Sequence, residues 1–299
     1  MRIATTTASE NIVRQIQQIG QQQTKLQAQV ASGLRITQLE DDPAAAGRVL
    51  TLNSELRAID QFSKNANRAL EVSQSTLSSL TQIKHISDRA TELGTLGAGT
   101  QSSEQTNAYA SELDQLIEQS VQQANSRLGN DYIFAGTKVS TPPYAVTRDA
   151  TTNKITGITF AGNNSQIQIP LSETASVAPG ADATTTTGIT DFLNHLVSLR
   201  DALAAGDGAA VTTAQTGLIA TEDVFVASMA QQGAIQMRVE VNQSQQKDRS
   251  QNLQSLISSE VDADLPTTIV RLNQAQLAYQ ASLQSSANIM KISLLDYIH

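Results

Sequence analysis

Residues 12–46 read IVRQIQQIGQQQTKLQAQVASGLRITQLEDDPAAA, and this stretch decides what kind of fold the chain adopts. Ile12, Ile16, Ile19, Gln23, Leu26 and Val30 recur at alternating spacings of four and three, which is the a/d seam of a helix that packs along a partner helix. Gly33 follows Ser32 at the position where a helix closes with a left-handed residue. The connector SGLRITQLEDDP ends in Asp42, an N-cap acceptor, and Pro43, which suits the first helical position. The passage therefore predicts helix, stop, non-helical connector, new helix.

The carboxy-terminal end repeats the pattern. Leu265, Ile269, Leu272, Gln276, Tyr279, Leu283, Ser286 and Met290 alternate by four and three after Asp262, Asp264 and Pro266, which mark a helix restart; Leu294 and Leu295 extend the apolar content. Such a seam offers two apolar residues per heptad, each worth roughly 1.5–3 kcal/mol when fully buried. Ordering seven backbone units costs roughly 7–14 kcal/mol. Intrahelical hydrogen bonds offset part of that cost, and the balance for one Gln-interrupted helix is near zero or unfavourable. The ends need partners: each other first, then neighbouring copies or different subunits.

Between the ends, Leu52, Leu56, Ile59, Ala66, Leu70, Leu77 and Leu80 continue a helical stripe from Pro43 towards Gly94, Gly97 and Gly99. Ser102 and Gln105 have capping-box spacing, and Leu113, Ile117, Val121, Ala124 and Leu128 give the next helix an apolar face, with Gly129 as its stop. Residues 130–188 change character. Gly, Pro, Asn and Thr punctuate short runs, and ITGITF and QIQIP alternate with period two across AGNNS, which predicts a hairpin. Helical pattern returns at Phe192, Leu196, Leu199 and Leu203, stops at Gly206 and resumes through Leu218, Phe225 and Leu253. The expected fold class is mainly α with a small β-rich insert: terminal coiled coil from 1–32 and 265–299, helical bundle from 33–129 and 189–264, and an outer β-rich domain from 130–188. An insert that small, without disulfides, is expected to lean on the helices beside it.

Composition narrows the function. The 299 residues hold no Cys and no Trp, so thiolate metal clusters, cysteine nucleophiles and disulfide scaffolds are excluded. A net charge of −8 leaves no electrostatic footprint for nucleic acid. The first thirty residues lack the cationic and apolar regions of a secretion signal, and no apolar run is long enough to cross a membrane, so neither a cleaved leader nor a membrane partner is expected. His85, His195 and His299 stand far apart, with no second His at helical ligand spacing. The glycine pairs Gly97/Gly99 and Gly206/Gly208 lack the third glycine and preceding strand of a nucleotide loop. Asp41 and Asp42 are not read as an acid/base pair, since an N-cap role beside Pro43 explains Asp42 fully. No metal, no cofactor and no catalytic residue are expected.

Four passages carry a resemblance: MRIATTT at the start, SGLRITQLEDDPAAA at 32–46, NDYIFAGTKVSTPPY at 130–144, and at the end LAYQASLQ at 277–284 with ISLLDYI at 292–298. Together they resemble the bacterial hook-filament junction family and, more broadly, the flagellin superfamily. Pro43 after the Asp pair, the NDYIFAG stretch and the SLLDYI ending favour the junction family over filament subunits. The resemblance implies a structural adaptor of the flagellum, not an enzyme, exported by the flagellar type III system to the cell exterior. It implies self-assembly with neighbouring copies, and as partners the other junction protein, flagellin and an export chaperone. It implies assembly roles for Ile12, Ile16, Ile19, Leu26, Val30, Leu265, Ile269, Leu272, Tyr279, Leu283, Leu294 and Leu295. Gly33, Arg35, Asp41, Asp42, Pro43, Asn130, Asp131, Tyr132, Phe134 and Gly136 are the matching motif positions. The alternatives are a filament subunit and, from another class, a cytoplasmic coiled-coil signalling rod.

Overall fold

A computed structural model describes the backbone of residues 2–99 and 102–298 and the side chains of residues 10–99 and 102–288. Among the described residues, six helices and six short strands follow in the order α1 (Arg2–Ser32), α2 (Pro43–Gly97), α3 (Ser103–Ala124), β1 (Arg127–Leu128), β2 (Asp131–Tyr132), β3 (Tyr144–Arg148), β4 (Ile155–Phe160), β5 (Ile169–Pro170), β6 (Ser176–Val177), α4 (Ala183–Ala205), α5 (Gly208–Val261) and α6 (Leu265–Ile298). The fold is mainly α with a small β insert. The helix ends follow local chemistry. Gly33 closes α1 at φ +73°, Asp42 accepts from the Ala45 amide at 3.0 Å as α2 begins, and Ser102 and Gln105 form a reciprocal capping box on α3. Gly206 ends α4 in the left-handed conformation.

The backbone forms two compact units, one of Met1–Ala58 with Asp248–His299, the other of Ile59–Lys247. The second unit holds the core. Leu80, Ile83 and Leu93 of α2 meet Leu113 and Ile117 of α3, Phe192, Leu196 and Leu203 of α4, and Leu218 and Phe225 of α5 in one buried cluster. Phe192 and Phe225 stand edge to face with ring centroids 5.3 Å apart, a preferred aromatic geometry. A smaller cluster joins Ala66, Ala69 and Val239 to Leu171 and Val177 from the β5–β6 region.

The insert does lean on helices. Tyr144 is buried, its ring 5.5 Å from that of Phe160, and its hydroxyl donates to the Thr186 carbonyl. The Asn194 side chain accepts from the Ile158 amide and donates to its carbonyl, tying β4 to α4. Arg200, 4% exposed, donates to the Ile155 carbonyl at 2.7 Å and to Asp114 of α3 at 3.0 Å.

Two local expectations are corrected. The ITGITF run pairs with YAVTR (β3 with β4), not with QIQIP across AGNNS. Asp149 decides this: its carboxylate accepts from the Thr151 and Thr152 amides and builds the turn between β3 and β4. Asn163 of AGNNS instead bonds Thr137. Helix α3 ends at Ala124, four residues before Leu128, which lies in the two-residue strand β1 paired with β2. Gly129 at φ +64° supplies that reversal, so it turns a hairpin and does not stop a helix.

Candidate assembly surface

The terminal unit is built differently from the bundle. Helices α1 and α6 run antiparallel: Gly20 lies against Tyr279, Ile12 and Ile16 share a groove with Ala281, Ser282 and Ser286, and Leu34 bridges Asp262 at the base. On α1, Leu26 is buried at 8% exposure while Ile12, Ile16, Ile19, Gln23 and Val30 are half-buried. On α6 the inward positions are Thr268, Ala275 and Ser286, with Leu272, Gln276, Tyr279 and Ser282 half-buried beside them.

The expected seam on α6 is therefore displaced. Leu265, Ile269 and Leu283, expected to bury against α1, are 40%, 44% and 45% exposed, and Val270 and Leu277 are more exposed still. The reason is width. One neighbour covers only a narrow stripe of a helix, and small residues at 268, 275, 282 and 286 let α1 approach on that side, leaving the larger side chains outward. In this unit the buried apolar residues, among those described, are Leu26, Ala45, Leu253 and Ala275. Leu294, Leu295 and Met290 lie outside the residues whose side chains are described.

The motif residues fall into two groups. Arg35, Asp41, Asp42 and Pro43 surround the α1–α2 connector. Lys25 sits 2.7 Å from the Asp41 carboxylate, which also accepts from the Thr37 and Gln38 amides. The Lys25 ammonium, followed by those amides, holds the Asp41 carboxyl well below the usual carboxylate range. The Ala45 amide and then Arg35 lower that of Asp42. Sequence reasoning gave Asp42 its cap but no role to Asp41. The signal was Lys25, whose distance along the chain hides that the connector folds back onto α1.

The second group sits in the other unit. Asn130 is exposed in the β1–β2 turn, Asp131 pairs with Arg68 of α2 at 3.2 Å, and Tyr132 is buried with the Arg127 guanidinium 4.1 Å from its ring centroid. Phe134 is fully buried, and Gly136 takes φ +66° where a Cβ would collide with Asn163. Asp131, through Arg68 of α2, and Phe134, within the main buried cluster, tie this stretch to the helices.

For chemistry the structure offers little. His85 is exposed and the His195 ring packs against Gly217. Among the described residues no group of three or more His, Asp or Glu side chains could hold a metal ion. No described helix is long and apolar enough to cross a membrane.

Comparison with known proteins agrees with the helical end and connector. Residues 3–139 match the bacterial flagellin N-terminal helical region. Flagellar hook-associated protein 3 of Salmonella typhimurium is 25% identical in an alignment that covers 98% of each chain. The flagellar filament 41 kDa core protein of Borreliella burgdorferi is 30% identical over 97 residues, which span 32% of this chain and 29% of that protein. In fold, a flagellar hook-associated protein from Vibrio parahaemolyticus superposes with a TM-score of 0.66 at 16% identity, over 74% of this chain and 100% of that one. FlgL of Bacillus cereus does so with a TM-score of 0.59 at 18% identity, over 70% and 99%. Over residues 3–139 the chain is similar to the bacterial flagellin N-terminal helical region, and along nearly its whole length it is similar to flagellar hook-associated protein 3 of Salmonella typhimurium.

Proposed function

We propose that this chain is a structural adaptor of the bacterial flagellum that joins hook to filament, and that it does so as a layer of copies packed through α1 and α6. The observation that carries the reading is the likeness to hook-associated protein 3 over 98% of both chains, which takes in both terminal helices and the middle insert. The exposed Leu265, Ile269, Val270, Leu277 and Leu283 supply the physical means, since apolar side chains that the chain's own fold leaves in water are covered when another helix packs on them. In this reading residues 1–32 and 265–299 form the innermost layer, 33–129 and 189–264 the surrounding bundle, and 130–188 the outward domain. Ile12, Ile16, Ile19, Leu26, Val30 and Leu272 hold the α1–α6 pair, while Leu265, Ile269 and Leu283 face a neighbour. The partners are further copies, the other junction protein and flagellin. Export through the flagellar type III apparatus with a chaperone on the carboxy-terminal helix belongs to the same reading. A filament-subunit reading has less support, because the Salmonella paratyphi A flagellin match covers 51% of this chain and 28% of that one.

The test is a chromosomal deletion in the native host. Hooks should persist without filaments and flagellin should collect in the medium, with recovery on supplying the chain in trans. Normal filaments in the deletion strain would overturn the proposal, and loss of flagellin synthesis with intact junctions would favour the filament-subunit reading.

A further inference from the structure

The two connectors of the terminal unit, residues 33–42 between α1 and α2 and residues 262–264 between α5 and α6, are bonded to each other. The Arg35 amide donates to the Val261 carbonyl at 2.6 Å, and the Ala263 amide donates to the Gly33 carbonyl at 2.8 Å. Leu34 and Asp262 thus face one another as the non-hydrogen-bonded pair of a one-rung antiparallel ladder. Gly33 makes this fit, because its positive φ turns the chain out of α1 and across to the other connector.

Side chains close the ladder on one side. Glu260 is the hub: both of its carboxylate oxygens take the Arg48 guanidinium, Nε at 2.9 Å and Nη2 at 2.8 Å, a bidentate pairing. Its backbone carbonyl accepts from Arg35 Nη2 at 2.7 Å. Arg35 also reaches the Asp42 carboxylate at 3.3 Å, and its carbonyl accepts from Gln29 of α1. Lys25 pins Asp41 from α1, and Ser258 donates to Asp262. Every element that enters or leaves the connectors except α6 sends a polar side chain into the cluster, and α6 starts on Asp264, whose carboxylate accepts from the Thr267 hydroxyl at 2.6 Å.

We propose that the paired connectors are a clasp: they lock the α1–α2 and α5–α6 hinges together, so that the α1–α6 pair turns as one body on the first turns of α2 and last turns of α5, and acid releases the lock. An unpaired pair of connectors leaves two independent hinges. The ladder and the Arg48–Glu260 fork remove one of them, and a bend at one connector then requires the same bend at the other. This mechanical role is independent of the flagellar assignment.

The charged groups around the clasp are Lys25 from α1; Arg35, Glu40, Asp41 and Asp42 from the first connector; Arg48 and Glu55 from α2; Arg249 and Glu260 from α5; and Asp262 and Asp264 from the second connector, with Arg271 the first charge along α6. Arg48 holds the Glu260 carboxyl below its ordinary value, and the Asp41 and Asp42 carboxyls are lowered as described. A carboxyl lowered by folding contributes stability that is present above its unfolded pKa and is lost as pH falls through the folded one. The clasp therefore holds at neutral pH and is released only in acid, below the ordinary carboxylate range.

The absence of native Cys allows clean labelling of the full chain. Nitroxides at Ser255→Cys on α5 and Gln274→Cys on α6, both exposed positions of the terminal unit, report the hinge by pulsed electron-electron resonance. A narrow distance distribution is expected at pH 7. It should broaden in Glu260→Gln and in Arg48→Glu, and narrow again in the swapped pair Arg48→Glu with Glu260→Arg. Taking the parent below the ordinary carboxylate range should broaden it too, while far-ultraviolet circular dichroism keeps its helical signal. A broad distribution in the parent at pH 7, a Glu260→Gln distribution as narrow as the parent's, or a swap that fails to narrow it would each overturn the clasp.

Discussion

Replacing Arg200 with Met tests how the β insert is held. The guanidinium is 4% exposed and bonds the Ile155 carbonyl at 2.7 Å, Asp114 at 3.0 Å and Asp201 at 2.8 Å. Met fills nearly the same volume, so no cavity contribution enters. The Ile155 carbonyl is left buried without its donor, which costs about 1–3 kcal/mol. Asp114 keeps Lys154 at 2.7 Å and is partly solvated, so its loss adds about 0.5–1 kcal/mol. Asp201 is mostly in water and adds nothing measurable. The expected cost is about 1.5–4 kcal/mol, which lowers the melting temperature of a unit this size by roughly 3–16 °C at about 2–4 °C per kcal/mol. Near-ultraviolet circular dichroism follows it, because Tyr109, Tyr132 and Tyr144 all lie in the second unit. Lys154→Met is the control and should cost less than about 1 kcal/mol. An Arg200→Met protein within about 0.5 kcal/mol of the parent at unchanged m-value would refute the reasoning, since the buried carbonyl would then not depend on that side chain.

Other changes separate the two units. Gly136→Ala forces a left-handed conformation and drives its Cβ into Asn163, and should destabilise the second unit by about 2 kcal/mol or more in urea unfolding. Leu283→Asp should change free-chain stability by less than about 0.5 kcal/mol, since Leu283 is 45% exposed, yet block incorporation; motile cells with normal filaments would count against the seam assignment. Ser73→Ala removes the hydroxyl that bonds buried Gln232 at 2.8 Å and should cost about 1–3 kcal/mol, measured by thermal denaturation. Arg148 lowers the Glu118 carboxyl, so the stability it contributes is present above about pH 4.3 and is lost in more acid solution; Glu118→Gln should flatten that part of the melting-temperature profile.

Much of the helical frame was legible in the sequence because the signals were local. Asp42 before Pro43, Ser102 with Gln105 and Gly206 each fix a helix end through bonds to residues three or four positions away. Strand pairing was less legible, since ITGITF could satisfy its edge with either YAVTR or QIQIP, and the choice rested on one side-chain-to-backbone turn at Asp149. The proposed assembly face was half legible. Periodicity located the apolar residues of α6 but not which side of them α1 would take, because a stripe wider than one contact has two edges. The clasp left no sequence signal: Arg48 and Glu260 lie 212 positions apart.

Helix α6 keeps Thr268, Ala275 and Ser286 against its partner and presents Ile269, Val270, Leu277 and Leu283 to water. An association resting on those side chains is driven by the release of ordered water, and its strength rises with temperature in the range near 25 °C. Layers that pack on that face, as proposed, would have a solubility limit for the free subunit that climbs on cooling, so that chilling, with no change of pH or salt, would shift material from the assembled to the soluble pool.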